Sequence, residues 1–341
     1  MERSNTNLEL NAAEWSQLWA AYMNASIGSN VLKTFLQHIE DDAIKHVIVE
    51  TRAFLQGNLK RLEGFFKQAD HPLPLAFTEE DINVEAPRLY TDDYYLLYMT
   101  QIGAFGMMAH THATIMSMRE DVREFFSDRA HIFDQLNDQA VTLALQKGIY
   151  PKPPTIPVTK DVDFVEKQSF MTGWFGDKRP LTALEIAYLN DNLQRNQFGI
   201  ATLMGFSQVA QSDDVRDYIV RGLDIAKKHV NVFQSVLEEE NIPVAMGADA
   251  MVTDEHKASP YSDKLMMNIV TELIVISVTF YGMALTTYTR KDLAAHYMRL
   301  VGEILKYAED GATLLIQKGW MEEPPKMVDR DQLINQNKKG D

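Results

Sequence analysis

Histidine and glutamate side chains in the second half of the chain are the residues that could bind a metal ion. Di-iron sites in helical bundles use a Glu from each of two helices and a Glu-x-x-His pair from each of the other two. The sequence contains no Glu-x-x-His pair, so it does not predict a complete dinuclear site. We predict at most one small site for iron, manganese or zinc. Its candidate ligands, which come from three predicted helices, are His229, Glu272, His296 and Glu303.

The spacing of these four residues prevents them from sharing one ion. If the last two helices form a hairpin, Glu272 and His296 lie about eleven residues apart along it, or about 16 Å. Glu303 is about 10 Å from His296 along the same helix. His229 is expected beside Glu303 if the chain crosses over, and beside Glu272 in an up-and-down bundle. The alternative interpretation is that both histidines are hydrogen-bonded beside the core and that Glu272 pairs with a polar neighbour.

A diverged copy of this region in the first half of the chain lacks all four candidates. At the equivalent positions, which are lower in number by an offset of 171, stand Asn58, Gln101, Phe125 and Ile132. Any metal site would therefore belong to the second half alone. The sequence also contains no nucleotide-binding glycine motif, no P-loop, no His-Glu-x-x-His and no Gly-x-Ser-x-Gly elbow. We therefore assign no catalytic residue, and the pattern favours a protein that is not an enzyme.

The repeat extends over the whole chain, which consists of two copies of a unit of about 170 residues. Residues 292–325 align with 121–154 without a gap, and both segments contain Gln-Lys-Gly followed by Pro-Pro. The same offset of 171 places Tyr261 on Tyr90, again without a gap. A repeat of this length predicts two domains that share one fold.

Each unit has the pattern of four helices with two short corners and one long middle connection. Apolar residues between Leu18 and Ile39 recur at steps of three and four, as in a helix packed in a bundle. Pro72 and Pro74 stop the second helix, and a polar connection of about 20 residues follows. The sequence predicts an all-α fold of two tandem ferritin-like four-helix bundles, with either a crossover or an up-and-down path. The predicted divisions are a first bundle at 1–154, a linker at 155–180, a second bundle at 181–325 and a C-terminal tail at 326–341.

The segment between the two units is richer in aromatic residues than a flexible linker. It contains Phe164, Phe170, Trp174 and Phe175. Flexible linkers are polar, whereas aromatic side chains contribute most when they are buried. We therefore predict that this linker docks between the bundles and fixes their relation.

The charge and hydropathy of the chain argue against two kinds of partner. A formal net charge of −15 opposes binding to nucleic acid or to an anionic membrane surface. The most apolar run, 265–285, is interrupted by Asn268, Glu272 and Ser277, which indicates a buried helix rather than a membrane span. Protein partners and self-association in a symmetric oligomer stay open.

Cysteine and methionine usage limits the metal chemistry and the compartment. The chain has no cysteine, which excludes disulfides and thiolate metal sites and is compatible with a reducing cytoplasm. The first residues contain no apolar segment of a secretory signal, so we expect a cytoplasmic protein. Met99, Met107 and Met108 on the predicted third helix are expected to fill the core rather than to bind copper.

Three runs of sequence resemble one known family. They are Asp-Phe-Val-Glu-Lys-Gln-Ser-Phe at 163–170, Ser-Asp-Lys-Leu-Met-Met at 262–267, and the closing segment from Arg-Lys-Asp-Leu-Ala-Ala-His at 290–296 to Lys-Gly-Trp at 318–320. Together they are similar to the domain-of-unknown-function 3231 family of Bacillus and its relatives, over essentially the whole chain. The resemblance implies paired ferritin-like bundles and association with spores, because some relatives are labelled spore coat proteins. It implies no catalytic residue, because the family has no established set.

Three functions of different classes follow from these observations. The first is a structural or interaction protein that acts through its surface in sporulation or stress. The second is a metal-dependent redox protein, with a site around His229 and either Glu272 or Glu303. The third is a binder of a small apolar ligand, in which the Met-rich third helix forms an adaptable wall. The first is favoured, because the sequence predicts a fold and no site.

Overall fold

Eight α-helices in two groups of four make up the fold of the described residues. The computed structural model describes residues 9–162, 164–173, 178–244 and 251–331, and it confirms the predicted all-α fold. Within these ranges, extended chain pairs only at two isolated backbone bridges. The helices of the first group are α1 (Ala12–His38), α2 (Asp42–Gln68), α3 (Asp92–Met116) and α4 (Glu120–Gln146). Those of the second are α5 (Ala183–Val209), α6 (Asp213–Glu239), α7 (Asp263–Leu285) and α8 (Lys291–Gln317).

The two groups repeat each other along their helices. The first residues of α1 and α5, Ala12 and Ala183, are related by the offset of 171, and so are the first residues of the other three helix pairs. The stops repeat as well, because Gly148 and Gly319 both adopt a φ of 70° beyond the last helix of their group. Glycine adopts this left-handed conformation without strain and so closes the helix. The predicted duplication is therefore confirmed for the helices.

The middle connections depart from this offset by one position. The N–H of Thr91 donates to the Met251 carbonyl at 3.0 Å, and the N–H of Ser262 donates to the Asp81 carbonyl at 2.8 Å. Thr91 and Ser262 are related by the offset of 171, whereas Asp81 and Met251 are related by an offset of 170. The gap-free alignment is therefore wrong inside the connection. Sequence periodicity could not reveal this shift, because the connection has no helical pattern.

The directions of the helices decide how the chain connects them. The end of α1 packs on the start of α3, where Phe35 and Tyr95 stack with ring centroids 4.1 Å apart. The end of α2 packs on the start of α4 through Phe65 and Phe125, at 5.5 Å. Because short corners join α1 to α2 and α3 to α4, these contacts require α2 and α3 to run in the same direction. Residues 69–91 therefore cross the length of the bundle, as the single crossover of ferritin-like bundles does, and the up-and-down alternative is wrong.

Carboxylates at the starts of the third helices give both bundles the same path. Asp92 at the start of α3 accepts the N–H of Asp41 at 2.9 Å, in the corner before α2. Asp263 at the start of α7 accepts the N–H of Ser212 at 2.8 Å, in the corner before α6. The first N–H groups of a helix have no partner inside it, so a carboxylate there supplies an acceptor. The second bundle thus has the same crossover as the first.

Buried tyrosines join the two bundles near the paired middle connections. The Tyr90 hydroxyl donates to the Thr202 carbonyl at 2.7 Å, and the Tyr94 hydroxyl lies 2.9 Å from the Thr202 hydroxyl. At the pseudo-symmetric position, the hydroxyls of Tyr261 and Thr34 lie 3.0 Å apart. All five side chains are buried. One end of the interface between the bundles is therefore a packed aromatic core.

The linker is less buried than the sequence predicts. Phe164 is 86% exposed, so it is not buried in a groove between the bundles. Phe170 is half-buried beneath the Arg179 guanidinium, which lies 4.1 Å from the centroid of its ring. Trp174 and Phe175 lie outside the described residues, as does the tail from residue 332 onward. Docking of the remaining linker stays a prediction.

One helix of the second bundle keeps an apolar surface outside the core. Within the part of the chain that the structure describes, α7 alone is long and apolar enough to cross a membrane, by length and composition only. A core helix of a bundle passes the same test. Only 44% of its most apolar 18-residue window is buried. The prediction of a buried helix therefore holds for one face of α7, and a cavity lies against another part of it.

Candidate functional site

Two of the four predicted ligands, His229 on α6 and Glu303 on α8, lie together. The His229 ring is fully buried, with its Nε2 atom 3.3 Å from a Glu303 carboxylate oxygen and its Nδ1 atom 3.0 Å from the Tyr281 hydroxyl. Lys228 donates to the other Glu303 oxygen at 2.6 Å. This is the pairing that the sequence predicts for a crossover bundle.

The charges of this pair follow from burial and hydrogen bonding. Burial lowers the pKa of His229 to about 4, although the Glu303 carboxylate opposes the shift. Burial alone would raise the pKa of Glu303, but the hydrogen bonds from Lys228 and His229 hold it below its usual value. At neutral pH the pair is therefore a neutral imidazole and a carboxylate. The Nε2–H then donates to Glu303, and Nδ1 accepts from Tyr281.

The remaining two candidates do not complete a metal site with this pair. No three His, Asp or Glu side chains come together as a ligand group anywhere in the described ranges. Glu272 and His296 therefore do not join His229 and Glu303 around one ion. His296 is half-buried on α8, and burial together with the Arg299 charge lowers its pKa. The site for iron, manganese or zinc stays a prediction, with the His229–Glu303 pair as its only assembled part.

A buried hydrogen-bonded network continues from His229 through the second bundle. Asn196 donates to the Tyr281 hydroxyl at 2.7 Å, and Asn192 donates to the Tyr297 hydroxyl at 3.2 Å. The Tyr288 hydroxyl donates to the same oxygen of Tyr297 at 2.8 Å. The side-chain oxygen of Asn192 is buried and has no partner among the described residues. None of the sequence patterns predicted this network.

The network belongs to the second repeat alone. Four of its seven members correspond in the first repeat to apolar residues: the equivalents are Ala21 for Asn192, Ala25 for Asn196, Asn58 for His229, His110 for Tyr281, Ser117 for Tyr288, Phe126 for Tyr297 and Ile132 for Glu303. The two bundles thus share a fold but differ in the residues that fill their interiors. Buried polar groups are costly unless they are hydrogen-bonded, so a whole set of them is a specific feature of the second bundle.

A large cavity runs between the bundles and reaches this network. Its volume is about 900 Å³, and its walls come from α1, α3, α5 and α7, with contributions from the bundle interiors. Asn196 and His229 belong to its lining, as do apolar residues such as Phe105 and Ile276. Gly199 is a buried residue of α5 in the same lining, and a Cβ atom placed there would meet no atom within 4 Å. The cavity is open to solvent, and Val275 of its lining is 59% exposed.

Glu272 lies in the wall of this cavity, in the middle of α7. Among the residues that the structure describes, its carboxyl group has no hydrogen-bond or ion-pair partner. Burial raises its pKa to about 8, and burial is the sole cause. The expectation that Glu272 pairs with a polar neighbour is therefore wrong. At neutral pH its carboxyl group is mostly protonated and can both donate and accept a hydrogen bond.

Comparison with known proteins shows which family this chain belongs to. A family model described as "Protein of unknown function (DUF3231)" matches residues 2–162 and 169–333, which is one match to each repeat. The chain belongs to the DUF3231 family. The resemblance read from the three sequence runs is thereby confirmed, and the family's description assigns no activity.

The solved structure of another protein is similar to part of this chain. It is described as a "putative spore coat protein" from Bacillus halodurans C-125, with 22% sequence identity, and the match covers 45% of this chain and 99% of that one. The TM-score of 0.41 is too low to support an argument about function. No curated protein matches the chain.

Proposed function

We propose that this DUF3231 chain binds a small, largely apolar molecule in the cavity between its two bundles. The observation that carries the proposal is the cavity of about 900 Å³, lined by apolar side chains with a few polar groups. Ligand sites have this character and about this size, since they are commonly about 300–1,000 Å³ and place few polar groups among apolar ones.

The cost of such a cavity supports a functional reason for it. Protein interiors are close-packed, and space that could be filled by side chains lowers stability. Gly199 is buried on α5 beside space that a larger side chain could occupy. The apolar surface that α7 leaves uncovered adjoins the same space. A ligand that covers this surface offsets both costs.

The other two functions have less support. A purely structural role in spores or stress, which the sequence favours, leaves the cavity and the Glu272 carboxyl group without a purpose. The spore coat description applies to the Bacillus halodurans protein. A cytoplasmic or spore-associated location stays a prediction. The redox function rests on the His229–Glu303 pair, which supplies two ligands where catalytic metal sites usually have three.

A fluorescent apolar probe tests the proposal. N-phenyl-1-naphthylamine is neutral in solution and brightens in apolar sites, and we expect it to bind saturably, with displacement by decan-1-ol. Gly199→Leu places a leucine side chain inside the cavity, which narrows it, and should weaken saturable binding. Gly302→Leu is the matched control, because Gly302 is an exposed helical glycine whose added side chain would also meet no atom. Absence of saturable binding by the wild type, or equal binding by both variants, would overturn the proposal.

A further inference from the structure

We propose that the ligand of this cavity is an amphiphilic amine, whose protonated nitrogen binds between the Glu272 carboxyl group and the Tyr98 hydroxyl while its apolar body lies along the cavity. This inference rests on the proposed function, because it names the chemical class of the molecule that the same cavity binds. It depends on three features of the walls: an acid without a partner on α7, a second acceptor on α3 of the other bundle, and the different residues that the two repeats place at equivalent positions.

The unpaired acid is the first feature. The other buried carboxylates of the second bundle that are described all have donors: Glu185 accepts from Arg179 at 2.8 Å, Asp292 accepts from Arg290 at 2.7 Å, and Asp263 accepts two backbone N–H groups. Glu272 has no such cation among the described residues, although it lies in a mostly apolar wall. An isolated acid in apolar surroundings is costly to ionise unless a positive group comes close. A ligand cation would supply that group.

Tyr98 of α3, in the other bundle, provides the second feature. It lines the same cavity, and no hydrogen bond of its hydroxyl group is found within the described residues. Both side chains line the one cavity, and burial together with the charge of Glu272 raises the pKa of Tyr98 well above its usual value, so the phenol stays protonated. A carboxylate oxygen and a phenol oxygen both accept hydrogen bonds, and an ammonium group has three N–H donors for them.

The pseudo-symmetry of the repeats shows what the protein places at the equivalent point. Gln101 of α3 corresponds to Glu272 of α7, and it accepts a hydrogen bond from Arg195 of α5 at 3.0 Å. The residue equivalent to Arg195 in the first repeat is Asn24 of α1, which lines the cavity. One side of the interface therefore pairs an amide with a protein cation. The other side has the stronger acceptor, a carboxyl group, and lacks the cation.

Space for a ligand follows from the same broken symmetry. The Arg195 guanidinium lies over the Phe280 ring, 3.7 Å from its centroid, so these two side chains fill their side of the interface. The corresponding pair in the first repeat is Asn24 and Ala109, which are both much smaller and both line the cavity. An alkylamine has the chemistry of the missing side chain, because it joins an apolar stem to a positive nitrogen. The net charge of −15 also favours a cationic ligand over an anionic one.

Competition between ligands that differ only in their head group tests this inference. N-phenyl-1-naphthylamine bound to the full-length protein at pH 8 is displaced with decylamine, decan-1-ol or decanoate. We expect decylamine to displace the probe at a concentration about tenfold lower than decan-1-ol, and decanoate to be the weakest. The advantage of the amine should disappear in Glu272→Gln, which keeps the shape and removes the charge, and persist in Glu309→Gln, which alters an exposed acid of α8.

A variant that supplies the missing protein cation gives an independent test. Asn24→Arg places a guanidinium at the position equivalent to Arg195, where it can pair with Glu272. We expect this variant to lose the preference for decylamine while it remains folded, as judged by circular dichroism. Asn24→Gln adds length without charge and should retain the preference.

The pH dependence of binding should identify Glu272 as the acid. With a pKa of about 8, about one-tenth of Glu272 is ionised at pH 7, so the affinity for decylamine should rise about tenfold between pH 7 and pH 9. Decylamine stays protonated over this range, since alkylammonium groups titrate near pH 10. The other ionisable side chains of the lining are His110, His112, Arg195, His229, Tyr98 and Tyr307. The difference between wild type and Glu272→Gln removes their contribution.

Each outcome of these experiments has one meaning. If decan-1-ol displaces the probe as well as decylamine does, the cavity binds apolar molecules and the head-group inference is overturned. An amine preference that survives in Glu272→Gln overturns it as well. If no compound displaces a saturably bound probe, or no probe binds, the proposed function itself fails.

Discussion

Glu272→Gln should stabilise the ligand-free protein, and increasingly so as the pH rises. Burial raises the pKa of Glu272 from its ordinary value of 4.5 to about 8. The folded state therefore holds this proton more tightly than the unfolded chain, which releases it above pH 4.5. Stability is lost as the pH rises from about 4.5 to 8, and no more is lost above that. Glutamine does not titrate, so the variant escapes this loss.

The free energy that the folded protein loses when Glu272 ionises follows from the same two pKa values. A fully shielded carboxyl group would cost about 4 kcal/mol at pH 8 and below about 1 kcal/mol at pH 5, at 1.36 kcal/mol per pKa unit. Because the same pKa of about 8 governs both stability and amine binding, we expect Glu272→Gln to be more stable than the wild type by about 4 kcal/mol at pH 8. The first repeat already has Gln101 at this position, so the fold accommodates the side chain.

Urea unfolding at pH 5, 6, 7 and 8, followed by circular dichroism, measures this difference. The protein is first stripped of hydrophobic molecules, because a bound amine would lower the pKa of Glu272 and mask the effect. Glu309→Gln serves as the exposed control and should show no trend with pH. A difference between Glu272→Gln and wild type that is the same at pH 5 and pH 8 would refute the reasoning, since the carboxyl group would then have a partner or free access to water.

Three further predictions concern the buried contacts. His229→Asn removes the hydrogen bond to Tyr281, so the free energy of unfolding at pH 7 should fall by about 1–3 kcal/mol. Burial lowers the pKa of His229 to about 4, so the wild type should also lose stability as the pH falls from 6.5 to 4. The variant lacks this histidine and should lose less stability over the same range. Gly205→Ala places a Cβ atom 2.5 Å from the Tyr90 hydroxyl and should cost about 1–3 kcal/mol, whereas Gly57→Ala, at an open helical glycine, should be neutral or stabilising; equal melting temperatures would contradict this. Elemental analysis of protein purified without tag or chelator should find no stoichiometric iron, manganese or zinc, and near-stoichiometric metal that is lost in His229→Ala would restore the redox function.

The helices and their pairing could be predicted from the sequence because the same helical patterns occur in both repeats. The offset of 171 predicted equivalent helices, and the spacing of residues along them predicted that His229 lies beside Glu303 in a crossover bundle. The crossover itself needed the structure, since a connection of about 20 residues permits either path. The shift of one position between Asp81 and Met251 was equally hidden, because it lies in a segment without periodicity.

Most of the candidate site could not be predicted, for physical reasons that differ between its parts. The buried network left a signal, because Asn192 and Asn196 stand four residues apart on a helix where the first repeat has alanine. Comparison of the repeats position by position would have found it. The cavity left no such signal, because its size depends on how far the two bundles separate beyond their tyrosine contacts. The lack of a partner for Glu272 likewise depends on which side chains cross that interface.

A crystal structure of the protein soaked with 10-bromodecan-1-ol would test the central claim most directly, because the anomalous signal of bromine locates the chain of the ligand whatever its head group binds. We expect one dominant bromine peak inside the cavity between α3 and α7, and a weaker or displaced peak in Gly199→Leu. Bromine found only at the outer surface of the bundles, or an unchanged peak in Gly199→Leu, would contradict the account.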